Sequence, residues 1–139
     1  MSKTTDYLLS LVGSKLESII VEIYRYEGES QVTINDVQLS IGNTNFVLGC
    51  SGNGSVFIQK GIASISNCDE GVTSSKLFFL ERCSGYDIDN IEIKDTSIVF
   101  DLSNSKLEIV NDDDELVVIC GGKKLCFDNE PMGSGSIDN

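Results

Sequence analysis

Histidine and tryptophan are absent from this 139-residue sequence, and proline occurs once, at Pro131. Without histidine there is no Ser–His or Cys–His nucleophile, no ordinary neutral-pH proton shuttle, and none of the commonest metal ligand. Without tryptophan, and with aromatics at 7%, a sugar-stacking platform is disfavoured. Apolar runs are short as well, and none approaches the roughly 18 residues that a membrane span needs. Bases are scarce: ten Lys and Arg stand against 22 Asp and Glu, for a net charge of −12. Such a field repels nucleic acid and anionic membrane and speeds encounter with basic proteins.

Five cysteines are present, Cys50, Cys68, Cys83, Cys120 and Cys126. Their odd number and irregular spacing exclude a complete disulfide framework, and reduced, mostly buried thiols are the expectation. The opening stretch "MSKTTDYLLSLVGSK" has only a short apolar segment, broken by Ser10, and lacks the long core of a secretory signal. Together these features point to a cytoplasmic protein.

The length suits one domain with its own core, expected over residues 1–130. A short helix is expected over Asp6–Val12, with Thr5 as a cap and Gly13 as the left-handed residue that ends it. From Leu16 onward the pattern alternates. Ile19, Val21 and Ile23 share one face, and Glu22, Tyr24 and Tyr26 the other. Similar short runs recur around Val37–Ile41, Phe46–Leu48, Val56–Ile58, Leu77–Phe79, Ile91–Ile93, Ile98–Leu102, Leu107–Ile109, Leu116–Val118 and Leu125–Phe127. Clusters of Gly, Asn, Ser and Asp separate them, as in consecutive antiparallel hairpins. The expected fold is therefore mainly β: an antiparallel β-sandwich or partly open barrel of about ten short strands, with one short N-terminal helix. The tail, residues 131–139, is Gly/Ser-rich and expected to be flexible.

Two stretches echo each other. Ile34-Asn35-Asp36-Val37 resembles Ile88-Asp89-Asn90-Ile91, and Phe46-Val47-Leu48 then answers Ile98-Val99-Phe100. In both, the leading Ile is out of phase with the apolar trio, which predicts a bulge or kink at the Asx pair.

Few residues offer chemistry. Cys120 and Cys126 flank Gly121-Gly122, but no second pair has zinc-ligand spacing, and the Gly-Gly suits a tight two-residue hairpin. Asp112 to Glu115 are four contiguous carboxylates with no glycine after them, unlike the alternating acids of a calcium loop, so they read first as a polar turn. "GCSGNGS" at 49–55 lacks the lysine and following helix of a phosphate loop and reads as another turn. Among 22 acids, carboxylate pairs arise without meaning, so no catalytic residue, cofactor or metal site is assigned and the chain is read as a non-enzyme.

The negative charge is uneven, with eight acids and four bases in residues 1–70 against 14 and six in 71–139. If Ile91, Ile93, Ile98, Phe100, Leu107 and Ile109 point inward, alternation turns Glu92, Asp101 and Glu108 outward. Asp112, Asp113, Asp114, Glu115, Asp128 and Glu130 complete a candidate partner-binding acidic patch. In style, the stretch "DIDNIEIKDTSIVFDLSNSKLEIVNDDDELVVI" resembles immunity proteins of bacterial contact-dependent inhibition and other polymorphic toxin systems. That resemblance implies a cytoplasmic inhibitor that binds and neutralises a cognate toxin of the basic nuclease type, without contacting nucleic acid or membrane. It carries no family site residues over. The alternative is a non-catalytic structural or small-ligand-binding β domain.

Overall fold

A computed structural model of the chain describes residues 3–26, 33–61, 72–80, 83–125 and 135–137. The helix α1 spans Lys3–Leu9, three residues earlier than expected, so Thr5 lies inside it rather than capping it. Its Leu8 is fully buried and docks the helix on the core, which so short a helix requires for stability. Gly13 adopts the expected left-handed conformation (φ 97°), and its N–H bonds the carbonyl of Ile88.

Strands follow throughout: β1 (Lys15–Tyr26), β2 (Thr33–Ile41), β3 (Thr44–Cys50), β4 (Val56–Lys60), β5 (Val72–Leu80), β6 (Tyr86–Ile93), β7 (Ser97–Leu102), β8 (Lys106–Asp112), β9 (Glu115–Cys120), β10 (Lys123–Lys124) and β11 (Gly135–Ile137). Nine of them form one hydrogen-bonded path in the order β10-β9-β8-β7-β6-β1-β2-β3-β4. The path does not close into a barrel. It doubles back where β1 meets β6 through only two residue pairs, Lys15 with Asp87 and Leu16 with Tyr86. That narrow seam lets β6–β10 form a second layer, with β2 and β3 packed against β8 and β9.

The core lies between the layers. Ile19, Val21 and Ile23 of β1, Val37, Leu39 and Ile41 of β2, and Phe46 and Leu48 of β3 face Ile98 and Phe100 of β7, Leu107 and Ile109 of β8, and Leu116 and Val118 of β9. These are the residues that period-two alternation marked as inward. At roughly 25 cal/mol per Å² of apolar area removed from water, this one cluster supplies the main driving force for folding.

The expected bulges occur in both echoes. Between β1 and β2 the pairing steps from Glu22–Asp36 to Ile23–Ile34, leaving Asn35 extra. Between β6 and β7 it steps from Ile88–Leu102 to Asn90–Asp101, leaving Asp89 extra. Beyond each bulge the hairpins match, with Val37 opposite Leu48 in the first and Ile91 opposite Phe100 in the second.

Two expectations need correction. Cys83 and Cys120 are disulfide-bonded, so they are not the reduced thiols expected. Their Cα atoms lie 6.3 Å apart, Cys83 just ahead of β6 and Cys120 at the end of β9, a proximity that spacing along the chain does not reveal. The strand after the Gly121-Gly122 hairpin begins at Lys123 as β10 (Lys123–Lys124), and Leu125, expected within a strand, lies just past it, though its N–H bonds the Val118 carbonyl; Cys126 and Phe127 lie outside the described residues. Gly135–Ile137 pairs in parallel with Phe78–Leu80 of β5, and the rest of residues 131–139 lies outside the described residues.

Candidate functional site

The acidic turn is a two-residue hairpin. Asp112 and Glu115 pair across β8 and β9, and Asp113 and Asp114 between them have φ of 55° and 64°. Positive φ at both central residues defines the type I′ turn, whose twist matches its strands and which Asp tolerates better than most residues. All four carboxylates are exposed.

Asn111 holds this turn in place. It is 4% exposed; its Oδ1 accepts from the Asp114 N–H at 2.9 Å, and its Nδ2 donates to the Ser55 carbonyl at 2.8 Å. The "GCSGNGS" turn is thereby joined to the acidic hairpin. Ser51 and Ser55 bond each other at 2.7 Å, and Asn53 accepts from Ser55 Oγ at 2.8 Å. Nearby, burial pushes the Cys50 thiol up, and the charges of Asp114 and Glu115 push it further. Cys50 is accordingly a poor nucleophile.

The outer face of β6–β9 carries the remaining acids. Register aligns Glu92, Val99, Glu108 and Ile119 in one row, and Ser97, Val110 and Val117 in the next. Asp112 and Glu115 stand at the end of that face. Val99 is buried there, and Val110, Val117 and Ile119 are half-buried, so the middle of the face is aliphatic apart from Glu108, which lies between Val99 and Ile119. Two of the acids are partly neutralised: Glu92 lies 4.0 Å from Lys94, and Asp101 lies 3.9 Å from Lys106. The structure thus gathers Glu92, Glu108, Asp112 and Glu115 on one face and sets Asp113 and Asp114 at its tip. Asp101 lies toward the opposite end, beside Lys106. Asp128 and Glu130 lie outside the described residues.

Among the described residues no group of three or more Cys, Asp or Glu side chains is arranged to hold a metal ion. A cleft of about 520 Å³ opens at the far end of the second layer, lined by Tyr86, Asn104, Ser105, Lys106 and Gly121.

Sequence reasoning passed over one other cluster. Glu22 and Asp36 face each other across β1 and β2 on the outer side of the first layer, only 5% and 7% exposed. Asn35, the bulged residue, donates through Nδ2 to Glu22 Oε1 at 2.6 Å and to Asp36 Oδ2 at 3.3 Å. Burial above all, then the Glu22 charge and a hydrogen bond to Glu22, push the Asp36 carboxyl up to about 7. The bulge predicted at Asn35-Asp36 was the available signal: it shifts the register so that two acids come opposite each other.

No protein-family model matches this chain, and neither the curated proteins nor the solved structures yield a match. No helix among the described residues is long and apolar enough to cross a membrane.

Proposed function

We propose that this chain is a non-catalytic protein inhibitor of the immunity type, which docks a basic toxin domain on the outer face of β6–β9. One observation carries the reading: half-buried Val110, Val117 and Ile119 lie within a border of Glu92, Asp112 and Glu115, with Glu108 set among them between Val99 and Ile119. An apolar centre with a charged rim is the usual anatomy of a protein interface, and the acidic rim selects a basic partner. The net charge of −12 adds long-range steering toward a positive nucleic-acid cleft. A nuclease domain is the partner that best fits this charge, and the chain itself then has no reason to touch nucleic acid.

Location is part of the proposal. A cytoplasmic inhibitor requires Cys83 and Cys120 to be reduced in the cell, whereas their bond favours an oxidising compartment for the same docking face. Alkylation and mass measurement of the protein taken directly from its host distinguish the two.

Co-expression with the toxin domain encoded beside it tests the function. Protected cells, and a complex of nanomolar affinity that weakens as salt rises, are expected. Asp112→Lys together with Asp114→Lys should slow association about tenfold with a smaller change in dissociation. Cells that die despite co-expression would end the proposal.

A further inference from the structure

We propose that Glu22, Asp36 and Asn35 form a proton-binding site at the hub of the fold, and that emptying it loosens the β1–β2 pairing. The argument begins with geometry. Like charges directly opposite in an antiparallel pair repel, and burial makes the repulsion costlier. Glu22 and Asp36 are so placed, in register and almost wholly removed from solvent. Asn35 donates to one oxygen of each, while Asp36 Oδ1 is buried without a hydrogen-bond partner.

Among the described side chains, no cation forms an ion pair with either carboxylate. On β2, Gln38 is the other polar group that reaches Asp36, and its hydrogen bond pulls the carboxyl down against the larger effects. On the same face β3 and β4 offer Gly49 and Phe57, which are paired with each other and uncharged. Across β1 from Asp36, register sets Leu77 of β5 opposite Glu22, with Lys76 opposite Ile23 and Ser74 opposite Arg25. For Arg25 and Lys76 these are pairings of the backbone alone. A proton held by Asp36 takes the neutralising role beside Glu22.

The direction of the pH effect follows. The Asp36 value is about 7 in the folded chain and 3.8 in the ordinary state, so between these the folded chain binds a proton that the unfolded chain has released. The resulting stability is fully present below about pH 4, declines as pH rises and is gone above about 7. Because the sequence has no histidine, no unperturbed side chain titrates between pH 5 and 8 to obscure this. The site lies on β1, which pairs with β2, β5 and β6, so the lost proton is felt in both layers.

Carboxyl carbon-13 NMR of the wild-type protein, with thermal unfolding from pH 5 to 8 for wild type and Asp36→Asn, provides the test. Expected are an Asp36 resonance with a midpoint near 7, a wild-type Tm that falls across the same range, and a flatter variant curve that lies above wild type at pH 8. An Asp36 midpoint below 5, or parallel Tm curves, would overturn the proposal. So would a Tm raised at pH 8 by millimolar calcium or magnesium in wild type but not in Asp36→Asn, since a metal ion would then be the occupant. If the variant does not fold, the wild-type carboxyl titration alone decides.

Discussion

Asn111 turns an acidic loop into a fixed object. It is one residue before four carboxylates, is buried, and bonds both the hairpin it precedes and the Ser51–Ser55 turn. Replacing it with Ala should cost about 2 kcal/mol, because buried donors and acceptors lose their partners, and urea unfolding measures it. Asp113 and Asp114 work the other way. Both have positive φ, where Asn and Gly are favoured, so Asp113→Asn with Asp114→Gly should stabilise the fold by about 0.5–1 kcal/mol. If the proposed docking surface is right, the same change slows binding to the toxin domain; calorimetry and binding kinetics read the two effects separately.

Elements were the most legible level. Alternation located the inward residues of β1, β2, β7, β8 and β9, because each of these strands has one face on a common core and one outside it. The Gly121-Gly122 hairpin was equally legible, since few residue pairs tolerate φ of 62° and 81°. Substituting both with Ala should destabilise the fold by about 2–4 kcal/mol and shift the register of β10, which hydrogen exchange at Lys123 and Lys124 would show. Acid positions were only half legible. Glu92, Glu108 and Asp112 could be set outward by counting, but their lysine neighbours and the valines between them depend on pairing across strands. The Glu22–Asp36 pair was hidden for the same reason, and Cys83–Cys120 more so. Its partners are 37 residues apart, and only the fold brings them together.

At the scale of the whole molecule, that disulfide ties the lead-in to β6, next to the β1–β6 seam, to the end of β9. The β1–β6 pairing is two residues wide, and Cys83, just ahead of β6, is tied to the far strand β9. Reduction should lower stability by about 2–4 kcal/mol without changing the fold, because the core already spans both layers. Denaturant titration with and without reductant checks this. A larger loss, or loss of structure at 37 °C, would mean that the core cannot hold the layers together by itself.

The position of β1 also has a consequence for how the chain finds its structure. The β2–β3 hairpin and the β6–β9 meander close over short spans and can form as soon as their residues are available. Strand β1 cannot complete its pairing so early. Its partners β5 and β6 lie some fifty to seventy residues further along, so the strand that organises the sheet is among the last to be enclosed. During synthesis or refolding β1 therefore waits with one apolar edge open, and that interval is when this chain is most exposed to pairing with the wrong strand.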